Sequence, residues 1–86
     1  MGISQTELKI EEERYRAAVD GIMKDEIERQ MIIGAIKERG PLTISELSEA
    51  TGITPDKILR HMIALRKTGT VSEVGEKEHQ YLYTVL

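Results

Sequence analysis

The sequence predicts a mainly α-helical domain that closes on a small β-hairpin. Three observations predict it. Apolar residues recur at helical spacing in successive stretches up to residue 68. Two junctions carry matched stop and start signals: Gly40-Pro41 ahead of Thr43, and Gly52 ahead of Thr54-Pro55. Beyond Gly69 the pattern changes to two short runs rich in β-branched and aromatic residues. The order is helix, short helix, glycine turn, longer helix, hairpin. That is the order of a winged helix-turn-helix, a three-helix core plus wing, here preceded by an N-terminal helix.

Each element follows from its residues. From Ser4 to about Asp20 the chain is charged and built of good helix formers, with Leu8, Tyr15 and Ile22 seven apart and Ala18 and Val19 between them. This partial heptad makes residues 1–24 a candidate dimerisation helix, through Leu8, Tyr15, Val19 and Ile22. Gly21 is expected to break or kink it. Residues 25–86 are expected to form the winged helix-turn-helix domain. Its first helix, Asp25 to Arg39, has a stripe of Ile27, Met31, Ile32, Ala35 and Ile36, all expected to be buried. Acids open this helix and Lys37 and Arg39 close it, which suits the helix dipole. Thr43-Ile44-Ser45-Glu46 is a capping box, so a short helix should run to about Thr51 with Ile44, Leu47 and Ala50 inward. Gly52 tolerates the positive φ of a tight turn, and Ile53 should plug the space between helices. Thr54 as N-cap and Pro55 at the first helical position start a helix that runs to about Thr68, with Ile58, Met62 and Leu65 on its core face. Strands are expected at Val71–Val74 and Tyr81–Val85, with residues 75–80 as the turn and Tyr81 and Tyr83 packed on the core.

Composition narrows the function. The chain has 86 residues, enough for one domain and too few for a catalytic domain plus a cofactor domain. It has no cysteine and two histidines, so thiolate chemistry is excluded, and neither a dedicated metal site nor a cofactor is expected. His79 is expected to face solvent. No nucleotide-binding glycine pattern and no nucleophile–base–acid set stands out, so an enzyme is not expected. No run approaches the ~18 apolar residues of a membrane span. The first seven residues lack a basic-then-apolar pattern, so a cytoplasmic protein is expected. The net charge is −3, yet residues 55–69 set four bases, Lys57, Arg60, Arg66 and Lys67, against Asp56 alone. That local excess is the electrostatic footprint of a modest nucleic-acid contact.

Residues 52–71, Gly-Ile-Thr-Pro-Asp-Lys-Ile-Leu-Arg-His-Met-Ile-Ala-Leu-Arg-Lys-Thr-Gly-Thr-Val, resemble the recognition segment of the ArsR-like winged-helix regulators. Arg60-His61-Met62, Leu65-Arg66 and Gly69-Thr70-Val71 carry the likeness. Gly40 to Leu47 resembles the family's entry into the first helix of the motif, and Tyr81 to Val85 its last wing strand. The likeness covers residues 26–86. It implies a transcriptional regulator that acts as a homodimer on double-stranded DNA, with helix 55–68 in the groove and the wing along the backbone. The family's metal-sensing cysteines are absent here.

On that reading Arg60 contacts bases or backbone, and Lys57, Arg66 and Lys67 anchor phosphates. Thr43, Ser45 and Thr54 add backbone contacts, Pro55 lies on the outward face, and Lys77 is the one base of an otherwise acidic wing carrying Glu73, Glu76 and Glu78. His61 is either a backbone contact or a packing residue, with packing preferred. Leu59 and Ile63 lie one turn apart where base edges are read; they can touch thymine methyls but cannot report a donor–acceptor pattern. Those two residues and the acidic wing also support an alternative, a winged helix that binds a protein partner as an accessory subunit. A third possibility is a regulator that senses an effector at its dimer interface.

Overall fold

The computed structural model describes residues 5–86, with side chains from Glu12 onward; Ser4 and the side chain of Leu8 lie outside the described residues. The elements are α1 (Gln5–Arg39), α2 (Ile44–Thr51), α3 (Pro55–Lys67), β1 (Val71–Lys77) and β2 (Gln80–Val85). Three helices and a two-stranded antiparallel hairpin make the winged helix-turn-helix that the sequence predicts.

One expectation fails at Gly21. The helix runs through it without a break, over 35 residues, a length of about 52 Å at the α-helical rise. A glycine inside a helix costs about 1 kcal/mol against alanine. The alanines before it and the Met23-Lys24 segment after it are good helix formers and carry the helix across. The result is an elongated molecule, 62 × 24 × 21 Å.

The core lies where the C-terminal end of α1 meets α2, α3 and the base of the hairpin. It is made of Ile32, Ile36, Leu42, Leu47, Ile53, Ile58, Met62, Leu65, Val71 and Tyr83. Ile27 and Met31, expected in the buried stripe, are exposed. At about 100° per residue, Met31 stands about 100° and Ile27 about 140° around the helix from Ile32, so neither shares the side of Ile32 and Ile36. At the level of Ile27 it is Glu28 and Arg29 that are partly buried.

The local signals are met in detail at α2. Thr43 Oγ1 accepts from the Glu46 backbone N–H and the Glu46 carboxylate accepts from the Thr43 N–H, each at 3.1 Å. Gly52 ends the helix at φ 76°, its N–H donating to Ser48 O at 2.9 Å. Ser48 Oγ donates to Ile53 O at 2.7 Å and fixes the turn, while Ile53 is buried as the plug. At α3 the cap differs from expectation. Thr54 has N-cap backbone geometry but makes no side-chain cap bond.

The wing strands are longer than predicted. They pair down to Lys77 and Gln80, with a bulge between Glu73 and Gly75. The turn is therefore two residues, Glu78 and His79, at φ 52° and 66°, values matching a primed hairpin turn. Leu42 bridges to Tyr83 through hydrogen bonds of 3.1 and 2.9 Å and ties the hairpin to the core. Tyr83 is buried there, but Tyr81, two residues nearer the tip, is exposed. The hairpin has left the core by that point. Among the described residues no helix is long and apolar enough to cross a membrane.

Candidate nucleic-acid interface

Helix α3 has two faces. Ile58, His61, Met62 and Leu65 turn inward. Pro55, Asp56, Lys57, Leu59, Arg60, Ile63, Arg66 and Lys67 lie outward and exposed. Pro55 begins the helix without leaving an unbonded N–H, and Asp56 in the first turn suits the positive end of the dipole. The Thr54 hydroxyl, the Asp56 and Lys57 backbone N–H groups and the nearby Arg60 hold the Asp56 carboxyl below its ordinary range.

The bases on this side are not equivalent. Arg66 Nη1 lies 2.8 Å from Glu73 Oε1 on β1, and Lys77 Nζ lies 3.0 Å from Glu46 Oε2 on α2. The Lys77 ammonium is held above its ordinary range by that carboxylate. Among the described residues Lys57, Arg60 and Lys67 enter no ion pair within 4.0 Å. Leu59 and Ile63 stand between them, each about half exposed. Ser45 is exposed at the start of α2, with its hydroxyl 2.9 Å and its N–H 3.3 Å from Gln80 Oε1 on β2. The arrangement offers charge and two apolar side chains to a ligand, and a polar group at the edge.

Two candidate contacts are turned away from this surface. Thr43 is buried and its hydroxyl caps α2. His61 is only 5% exposed and faces α1. Arg29 Nε donates to His61 Nδ1 at 3.3 Å, so the ring proton sits on Nε2, 3.2 Å from Glu28 Oε1. His61 is thus a packing residue, as preferred, but its packing is polar and tied to residues 32 and 33 positions upstream. Sequence reasoning missed Glu28, Arg29, Glu46 and Gln80 in these roles. For the first two a signal existed. They sit four and three residues before Ile32, on the face the core needs.

Far along α1, Tyr15 and Ile22 are 72% and 69% exposed and Val19 is half-buried. Leu8, the fourth candidate dimerisation residue, lies outside the described side chains. His79 is exposed in the wing turn.

The model of the family described as bacterial regulatory protein, arsR family, matches residues 28–73. No curated protein matches the chain. Among solved structures the chain is similar to the Zalpha domain of Carassius auratus PKZ, solved in complex with Z-DNA, with a TM-score of 0.66 and 16% identity over 73% of this chain and 98% of that one. The apo Zalpha of zebrafish PKZ gives a TM-score of 0.67 and 13% identity over 72% and 95%. The transcriptional repressor BigR from Xylella fastidiosa gives a TM-score of 0.62 and 21% identity over 91% of this chain and 77% of that one. At these identities the likenesses show the winged-helix fold.

Proposed function

The chain belongs to the arsR family of bacterial regulatory proteins and is a DNA-binding transcription regulator; we propose that it reads duplex DNA with the outward face of α3 and works as a homodimer in the cytoplasm, with no enzymatic step. One observation carries the reading: Lys57, Arg60 and Lys67 are exposed, and among the described residues enter no ion pair, around Leu59 and Ile63 on the helix that the fold presents. Lys57 and Lys67 suit phosphates as point charges, and Arg60 suits either a phosphate or a guanine edge. Leu59 and Ile63 suit thymine methyls. Ser45, Thr54 and Pro55 border the same surface and are exposed. The wing follows the backbone less strongly, because Lys77 must first leave Glu46 and the tip carries Glu76 and Glu78.

The homodimer is supported by the exposed Tyr15 and Ile22 on a helix that extends beyond its own core. Two-fold pairing sets two recognition helices about one DNA turn apart.

Selection of random duplexes by the purified chain, followed by binding across a salt series, tests the reading. Three phosphate contacts per protomer predict a slope of log K against log salt of about −3 per half-site. Affinity indifferent to salt would sink it. Absence of duplex binding at low salt, with a protein partner held through Leu59 and Ile63, would instead mark the domain as an interaction module.

A further inference from the structure

We propose that Asp25, Glu28 and His61 form a binding site for one divalent transition-metal cation of the Zn²⁺ class, at the junction of α1 with the recognition helix. The donor atoms of these three residues all lie within 4.8 Å of one another. Asp25 and Glu28 are three apart on α1 and share a face; His61 comes from α3, 33 residues beyond Glu28.

The chemistry of the set fits such an ion. One imidazole and two carboxylates suit Zn²⁺, Co²⁺ and Ni²⁺ better than Mg²⁺ or Ca²⁺, which prefer all-oxygen shells. Ligand bonds of about 2.1 Å in a tetrahedron place donor atoms about 3.4 Å apart. The Nε2–Oε1 separation of 3.2 Å already meets that value. Asp25 is exposed and free to rotate inward. His61 is more than nine-tenths buried, and among the described residues the group within hydrogen-bond distance of its Nε2 is the Glu28 carboxylate. The three side chains also line an open cleft of about 470 Å³, which gives an entry path and room for water as fourth ligand. Lys24, Arg29, Lys57 and Arg60 line the same cleft, and their charge weakens cation binding there.

Binding has a structural consequence. The ion needs the Nε2 lone pair, so the ring must carry its proton on Nδ1 instead. Nδ1 can then no longer accept from Arg29 Nε, and that 3.3 Å bond opens. The ion thus replaces one tie between α1 and α3 by a stronger one and releases a guanidinium. The site stands whether or not α3 reads DNA, and it is tested without DNA.

The experiment is a calorimetric titration of the full chain with Zn²⁺ near neutral pH, repeated with Co²⁺ to read its visible absorption. The expected result is one ion per chain. Glu28→Gln and Asp25→Asn should each weaken binding by about tenfold or more, with folding checked by circular dichroism. His79→Ala should leave affinity unchanged, and Arg29→Ala should tighten it by removing the competitor for Nδ1. Nitrogen-15 spectra of the His61 ring should show the proton moving from Nε2 to Nδ1 as Zn²⁺ is added. No bound ion, equal affinity in Glu28→Gln and Asp25→Asn, looser binding in Arg29→Ala, or an unchanged ring tautomer would each overturn the proposal.

Discussion

Glu46 holds two structures together with one carboxylate: it accepts the Thr43 backbone N–H that opens α2 and the Lys77 ammonium from the wing. The Thr43 N–H first, then Lys77, hold its carboxyl below the ordinary value of 4.5. A depressed carboxylate contributes stability that is present above 4.5 and is lost as pH falls through the lower folded value. Glutamine can still accept at the cap but cannot titrate or attract Lys77. Glu46→Gln should therefore flatten the decline of melting temperature below about pH 4.5 while leaving the α2 cap intact. An acid limb as steep as in the unsubstituted chain would show that Glu46 does not carry this dependence. Gly52 makes a second case at this scale. Its φ of 76° is left-handed, and an added Cβ would meet nothing within 4 Å. The cost of Gly52→Ala is therefore backbone strain alone, about 1–2 kcal/mol, read as a shift in the denaturation midpoint with an unchanged slope.

The same division between local rule and packing runs through the elements. Helix α3 depends on Ile58 and Met62, which are fully buried in the core. Ile58→Ala should cost about 2–5 kcal/mol, a large fraction of the stability of so small a domain. Its outward face divides by pairing. Among the described residues Arg60 has no ion partner within 4.0 Å, whereas Arg66 is held by Glu73 at 2.8 Å. Arg60→Ala should lower duplex affinity and reduce the salt slope by about 1, and Arg66→Ala should do less of both. Equal losses would mean that the Glu73 pair does not persist on DNA. The elements themselves were legible because their signals are local. The capping box, the two glycine ends, Pro55 and the change of period each act within about four residues. The break expected at Gly21 failed for the same kind of reason, since one glycine penalty of about 1 kcal/mol is small against the helix formers on either side.

At the scale of the whole molecule, the N-terminal part of α1 projects beyond the core, which accounts for the 62 Å long axis. Exposed Tyr15 and Ile22 on such a helix call for a partner. Sedimentation should show a dimer that Tyr15→Asp with Ile22→Asp converts to monomer, with the melting of the core little changed. A chain that is monomeric at high concentration before substitution would remove the homodimer from the proposed function.

By itself the sequence determined the order of α2, α3 and the hairpin, the capping box of α2 and the Gly52 turn, because these rest on backbone conformation and hydrogen bonds between near neighbours. It also placed Leu59 and Ile63 correctly on the open face of α3. Only the tertiary structure decided which side of α1 is buried. That choice put Glu28 and Arg29 against His61 and left Ile27 and Met31 outside. It also drew Lys77 to Glu46 and Arg66 to Glu73, while among the described residues Lys57, Arg60 and Lys67 enter no ion pair. Apart from the Arg66–Glu73 link, seven residues long, these contacts join residues more than 30 positions apart. No periodicity or cap records such a pairing, because it is set by how the helices and wing pack rather than by the backbone of any one of them.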